Sequence, residues 1–146
     1  MRGSVGRYVL ADSGFWLALY DERDAHHRDA LAADELICEY YLVIPWPTLY
    51  EVLCTRFTRK RDWLVSFDRA CCEPGIQHVP DAPYRESALR RVLKSGSANV
   101  SRRSLVDEVI REMLRDTKLR IHYLLTFNSQ DFRDVCTKRG IEMLDG

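Results

Sequence analysis

Short apolar runs that alternate with amphipathic stretches restrict this chain to one class of fold. A first strand is predicted over residues 7–12 around Tyr8-Val9-Leu10-Ala11. Four further runs follow: Leu42-Val43-Ile44-Pro45, Ile76-Gln77-His78-Val79, Tyr123-Leu124-Leu125-Thr126 and Ile141-Glu142-Met143-Leu144. The first run is apolar on both faces, as a central parallel strand must be. Helical patterns fill the intervals. Ser13-Gly14 opens Phe15–Tyr20, and a second helix spans about residues 26–38. Pro47 begins a helix carrying Leu49, Val52, Leu53 and Phe57, and the pattern resumes through Trp63, Leu64 and Phe67 to Cys71. After the Pro74-Gly75 break, Pro83 begins a helix with the stripe Ala88, Leu89, Val92 and Leu93, ended by Ser95-Gly96-Ser97. Residues 104–116 are the clearest amphipathic helix, and 129–138 form a short one. This alternation predicts an α/β fold: a three-layer α/β/α domain around a central, mostly parallel sheet of four to five strands. A length of 146 residues fits a single domain, expected over 1–146.

The formal net charge is zero, so overall charge announces no nucleic-acid partner and any basic footprint must be a local patch. The five cysteines, Cys38, Cys54, Cys71, Cys72 and Cys136, are odd in number and lack C-x-x-C spacing. That argues against a disulfide framework or zinc ribbon and for reduced thiols in a cytosolic protein. Cys71-Cys72 has no neighbouring cation pattern that would activate it. No signal-peptide apolar region and no run approaching about 18 apolar residues is present, so a soluble, cytoplasmic protein with no membrane association is expected.

Four acids stand at the ends or edges of apolar elements. Asp12 ends the first strand, Glu51 lies in the helix after the second, Asp107 lies in the helix 104–116, and Asp131 follows the fourth strand. In a parallel sheet these positions converge at the C-terminal edge, where open α/β folds bind ligands. Clustered carboxylates repel one another unless they surround a hard cation or share protons, so a divalent-metal, phosphodiester-cleaving site is the leading reading. Each acid has a structural alternative. Asp12 can cap the following helix, although Ser13 can do so instead and leave Asp12 facing the edge. Glu51 can be solvated or favour the helix dipole in an early turn. Asp107 shares a helix face with Ile110 and Leu114, a costly place for an unpartnered carboxylate, although a first-turn aspartate also suits the dipole. Asp131 can be an ordinary first-turn acid of a helix capped by Asn128 or Ser129. Glu108 and Glu112 are expected to be solvated.

Arg56, Arg59, Lys60 and Arg61 cluster at a predicted helix end, where dipole pairing and solvation compete with phosphate contact. Arg102 and Arg103 precede the Asp107 helix and are better placed to meet a nucleic-acid backbone. His26 and His27 are adjacent, so they cannot face one metal from one helix side, and they read as surface residues. His78 and His122 lack a partner acid or nucleophile. No phosphate-binding glycine loop, serine elbow or H-E-x-x-H occurs.

The ordered blocks Leu10-Ala11-Asp12-Ser13-Gly14, Ile44-Pro45-Trp46-Pro47-Thr48-Leu49-Tyr50-Glu51-Val52-Leu53, Ser104-Leu105-Val106-Asp107 and Leu124-Leu125-Thr126-Phe127-Asn128-Ser129-Gln130-Asp131-Phe132 resemble a PIN domain. They are most similar to the VapC-type toxins of prokaryotic toxin–antitoxin systems. The resemblance covers nearly the whole chain and implies a metal-dependent endoribonuclease. Asp12, Glu51 and Asp107 match the family's first three acids, and Asp131 matches the later one. Asn128 stands where many members carry an aspartate; its carbonyl oxygen can ligate a metal but adds no charge. Ser13 and Thr126 match supporting polar positions. The implied cofactor is Mg²⁺ or Mn²⁺. The implied partners are an RNA substrate, a small protein antitoxin and a second copy of the chain in a homodimer. Asn128 also keeps open a cleavage-inactive PIN-like module that binds RNA or protein. A phospho-aspartyl mechanism at Asp12 fails its pattern, because Gly14 stands where a second acid is required.

Overall fold

A computed structural model describes residues 1–95 and 103–144. Gly96, Ser97 and Arg102 lie outside the described residues. The five predicted strands all form: β1 (Tyr8–Ala11), β2 (Tyr41–Pro45), β3 (Ile76–Val79), β4 (Tyr123–Leu125) and β5 (Glu142–Leu144). They make one sheet in the order β3-β2-β1-β4-β5, and each described pairing is parallel. The central β1 pairs with β2 on one side and β4 on the other. The C-terminal end of β1 is therefore the point where the strand order reverses, the crevice in which such sheets place ligands.

The two-residue period of the strands sorts their side chains into two cores. Val9, Ala11, Leu42, Ile44 and Leu125 face one side. There they meet Phe15, Trp16 and Ala18 of α1 (Ser13–Tyr20), Ala30 and Ala33 of α2 (His27–Leu36), Leu49 and Val52 of α3 (Trp46–Val52), Phe57 of α4 (Thr55–Thr58) and Phe67 of α5 (Arg61–Cys71). Leu10, Val43 and Leu124 face the other side. Their partners are Ala88 of α6 (Arg85–Ser95), Val109, Ile110, Met113 and Leu114 of α7 (Leu105–Arg115), and Val135 and Cys136 of α8 (Arg133–Arg139). This is the expected three-layer arrangement. Val9 and Leu10 are fully buried, each burial worth roughly 2 kcal/mol, which makes β1 the hardest element to displace.

Three helices depart from their predicted form. The helix from Pro47 stops at Val52, and the backbone at Cys54 is extended before α4 begins. The break turns Phe57 into an aromatic cluster with Tyr20, Trp63 and Phe67, at ring separations of 5.7, 5.4 and 5.8 Å. Pro83 lies in a single 3₁₀ turn, Ala82–Tyr84, anchored by the Tyr84 hydroxyl donating to Asp116 at 2.7 Å. Ser129–Asp131 is likewise a 3₁₀ turn ahead of α8. Helix α8 ends at Gly140 in the left-handed region (φ 71°), which lets Ile141 N–H close back on the Cys136 carbonyl.

Among the described residues no helix is long and apolar enough to cross a membrane. All five cysteines are free, and burial pushes the Cys71 thiol up to about 11, opposite to an activated thiolate.

Candidate active site at the carboxyl edge of the sheet

Asp12 is the hub of this edge. Its N–H donates to the Leu125 carbonyl at 3.2 Å, one step past the last strand pair, which fixes its main chain beside β4. One carboxylate oxygen accepts from Phe15 N–H at 3.3 Å and caps α1. The other accepts from the buried Thr126 hydroxyl at 2.5 Å. Capping and facing the edge were alternatives in the sequence; the side chain does both. Ser13 is released from capping and donates instead to Glu51 Oε1 at 2.9 Å.

From Asp12 a relay leads to the fourth acid. Thr126 Oγ1, while donating to Asp12, accepts from Asn128 N–H at 3.0 Å. The Asn128 side-chain amide donates to Asp131 Oδ2 at 2.5 Å. Asn128 is thus not a helix cap as expected, because its amide is committed to Asp131. Asp131 is joined to Asp12 through two intervening residues rather than by direct contact.

The remaining two acids approach from the other side. Glu51 lies in the last turn of α3, not an early one, so the helix dipole disfavours its charge. Asp107 occupies the first turn of α7, where Ser104 Oγ caps the helix by accepting from Asp107 N–H at 3.1 Å. Burial pushes the Asp12 carboxyl up to about 6; the bonds from Thr126 and Phe15 oppose this, and the charges of Glu51 and Asp107 add to it. Burial also raises Glu51, against the Ser13 hydrogen bond and with the Asp107 charge. Asp12, Glu51 and Asp107 therefore share one electrostatic field.

The donor chemistry here is oxygen throughout, which suits a hard divalent cation, and mutual repulsion is what a cation relieves. Among the described residues no three His, Cys, Asp or Glu side chains are grouped closely enough to hold a metal ion as they stand. The residues fit such an ion in kind; their carboxylates would have to draw together around it.

Several expectations need correction. Glu108 is buried rather than solvated, and lies 3.7 Å from both Arg103 and Arg111. Glu112 bonds Arg91 at 2.6 Å and Arg115 at 2.7 Å. Arg103 is thus turned toward Glu108, and Arg102 lies outside the described residues. In the other basic group, Arg56 pairs with Asp21, and both Arg56 and Lys60 lie over Trp63. His27 Nδ1 contacts the Ala18 carbonyl at 2.7 Å, tying α2 to α1, and His26 stacks flat on Phe127 with ring centroids 4.5 Å apart.

Sequence reasoning missed Arg111. It is 4% exposed, donates to the Asp131 carbonyl at 2.6 Å and grips Asp134 with two bonds of 2.7 and 2.8 Å. It holds the turn carrying Asn128 and Asp131 to the helix carrying Asp107. A signal was present: Arg111 is four residues beyond Asp107, hence on the same buried face.

No family model and no curated sequence matches the chain. Among solved structures, the chain is similar to VapC20 of Mycobacterium tuberculosis, a toxin that cleaves the sarcin–ricin loop. The TM-score is 0.66 at 17% sequence identity, covering 86% of this chain and 94% of that one. The chain therefore has the PIN-like α/β fold of that toxin.

Proposed function

We propose that the protein is a divalent-metal-dependent endoribonuclease that hydrolyses RNA phosphodiester bonds at the Asp12 edge. The observation that carries this reading is the shared field of Asp12, Glu51 and Asp107 at the strand-order reversal of a fold held in common with a ribonuclease toxin. Asp12 and Asp107 are the direct ligands of Mg²⁺ or Mn²⁺, with Glu51 a further ligand or the group that orients the attacking water. Asn128 and Asp131 complete the shell, directly or through water. When bound, the ion neutralises phosphoryl oxygens and lowers the pKa of water. Thr126 fixes the rotamer of Asp12, and Ser13 fixes that of Glu51, so the donors are oriented before substrate arrives. Before an ion enters, the acids repel phosphate, so metal and RNA bind together.

The chain acts as the toxin of a toxin–antitoxin pair in the cytoplasm, forms a homodimer and is held in check by a small protein antitoxin; the likeness to VapC20 supports this part of the reading. A second reading, a cleavage-inactive module that binds RNA or protein, is favoured by Asn128, which brings no charge to the fourth position. Cleavage of structured and unstructured RNAs with Mg²⁺, Mn²⁺ or EDTA separates the two. Metal-dependent cleavage lost in both Asp12→Asn and Asp107→Asn supports the nuclease. Metal-bound, folded protein that cleaves none of the RNAs supports the module.

A further inference from the structure

Two exposed aromatic pairs flank Asp12, one on each neighbouring strand. Continuing the β1–β2 register past Leu10↔Val43 sets Pro45 beside Asp12 and Trp46 beside Ser13. Continuing the β1–β4 register past Ala11↔Leu125 sets Thr126 beside Asp12 and Phe127 beside Ser13. Trp46 and Phe127 thus stand level with each other, one step beyond the acid, on opposite sides of it. Strands in a sheet are about 4.8 Å apart, so the two positions are separated by roughly 10 Å.

Each position is extended by a second ring. Trp46 is 43% exposed and has Tyr50, 65% exposed, one helical turn on with its centroid 6.2 Å away. Tyr50 also walls an open cleft of about 310 Å³, with Leu89, Leu105 and Val106 in its lining and the Arg85–Asp81 ion pair at its rim. The cleft touches the immediate neighbours of both acids on that side, since Tyr50 precedes Glu51 and Val106 precedes Asp107. On the opposite flank, the His26 ring lies 5° from parallel to Phe127 with its side chain about half exposed (49%). Phe127 itself sits between Thr126 and Asn128 in the hydrogen-bonded relay.

We infer that the substrate is an unpaired stretch of RNA, with the bases on either side of the scissile phosphate seated on Trp46–Tyr50 and on His26–Phe127. This rests on the ribonuclease reading for the place of the scissile phosphate. Bases stacked within a duplex are about 3.4 Å apart along the strand. Platforms roughly 10 Å apart cannot hold neighbouring bases in that stack, but they suit bases splayed away from each other onto aromatic side chains. Stacking also provides attraction in a place where three carboxylates repel the backbone.

The test is titration of an oligoribonucleotide carrying 2-aminopurine into the full chain with cleavage blocked by Asp12→Asn, followed by fluorescence. A single strand should bind with quenching and a duplex of the same sequence at least about tenfold more weakly. Trp46→Ala, Tyr50→Ala and His26→Ala should each weaken single-strand binding roughly tenfold, with Trp46→Phe restoring it. Equal affinity for duplex and single strand, or unchanged affinity in all three alanine variants, overturns the inference. So does an alanine variant that alters the oligomeric state in light scattering while RNA affinity is unchanged, since that assigns the aromatics to a protein interface. If RNA cleavage by the wild type proves independent of Asp12 while quenching and its loss in the variants persist, the nuclease reading fails and the base platforms stand.

Discussion

Arg111 donates to the main-chain carbonyl of Asp131 at 2.6 Å, from a helix face that also carries Asp107 one turn earlier. The same guanidinium grips Asp134, and together these bonds fix the Asn128–Asp131 turn relative to α7. Removing it leaves Glu108 buried with only Arg103 nearby and leaves the Asp131 carbonyl without that donor. Arg111→Met should therefore destabilise the fold by about 3 kcal/mol. Chemical denaturation measures this, and a loss below about 1 kcal/mol would mean that the guanidinium contributes little beyond its packing.

Asp12 makes stability depend on pH in the sense opposite to a salt-bridged carboxylate. Its folded-state pKa of about 6 lies above its unfolded value near 4, so the folded protein holds this proton more tightly. Stability contributed by Asp12 thus falls as pH rises from about 4 to 6, and the full cost above that range is about 3 kcal/mol. In a chelator, Asp12→Asn should raise the melting temperature at neutral pH by roughly 5–10 °C, and the gain should shrink toward about pH 4. A variant no more stable than wild type at neutral pH contradicts the desolvation argument.

The same titration governs metal affinity. Below about pH 6 a proton competes with the ion for Asp12, and apparent Mn²⁺ affinity should drop roughly tenfold per pH unit, levelling off above pH 6. Calorimetry across that range tests it; a flat profile excludes Asp12 as a ligand.

Ser13→Ala removes the hydroxyl that donates to Glu51, a bond that favours the charged carboxylate. Burial and Asp107 then act unopposed, so Glu51 should hold its proton to still higher pH. Cleavage at neutral pH should fall roughly tenfold, with activity recovering as pH rises. Ser13→Thr, which keeps the hydroxyl, should retain most of the rate.

Asn128→Asp replaces an amide donor with a second carboxylate facing Asp131. The metal-free protein should lose about 1 kcal/mol, and added Mn²⁺ should return more than the loss. Thermal unfolding with and without the ion decides this. An equal loss in both conditions places Asn128 outside the metal shell.

The sheet was legible because its burial follows a simple period: Val9 and Ala11 face one way, Leu10 the other, and the pattern recurs in Leu42, Val43 and Ile44. The break between α3 and α4 was not, since Leu49, Val52 and Phe57 keep helical spacing across it. What breaks the helix is the distant packing of Phe57 on Trp63 and Phe67. At the edge of the sheet, acid types and order could be read, but the division of labour could not. Asp and Ser are both good caps, and only the position of Thr126 from a remote strand shows which of Asp12 and Ser13 takes that role. Glu108 and Glu112 looked solvated for a similar reason: Arg103 and Arg91, which pair with them, come from outside the helix.

The bond from Thr126 to Asp12 spans 114 positions of the chain, and β4 must slot beside β1 before it can form. Contacts of such separation form slowly, because the intervening loop must be closed first. A polypeptide still leaving the ribosome holds Asp12 early but has no partner for it until Thr126 has emerged. For a ribonuclease this timing is protective: the message and the ribosome that produce it are spared until synthesis has passed β4.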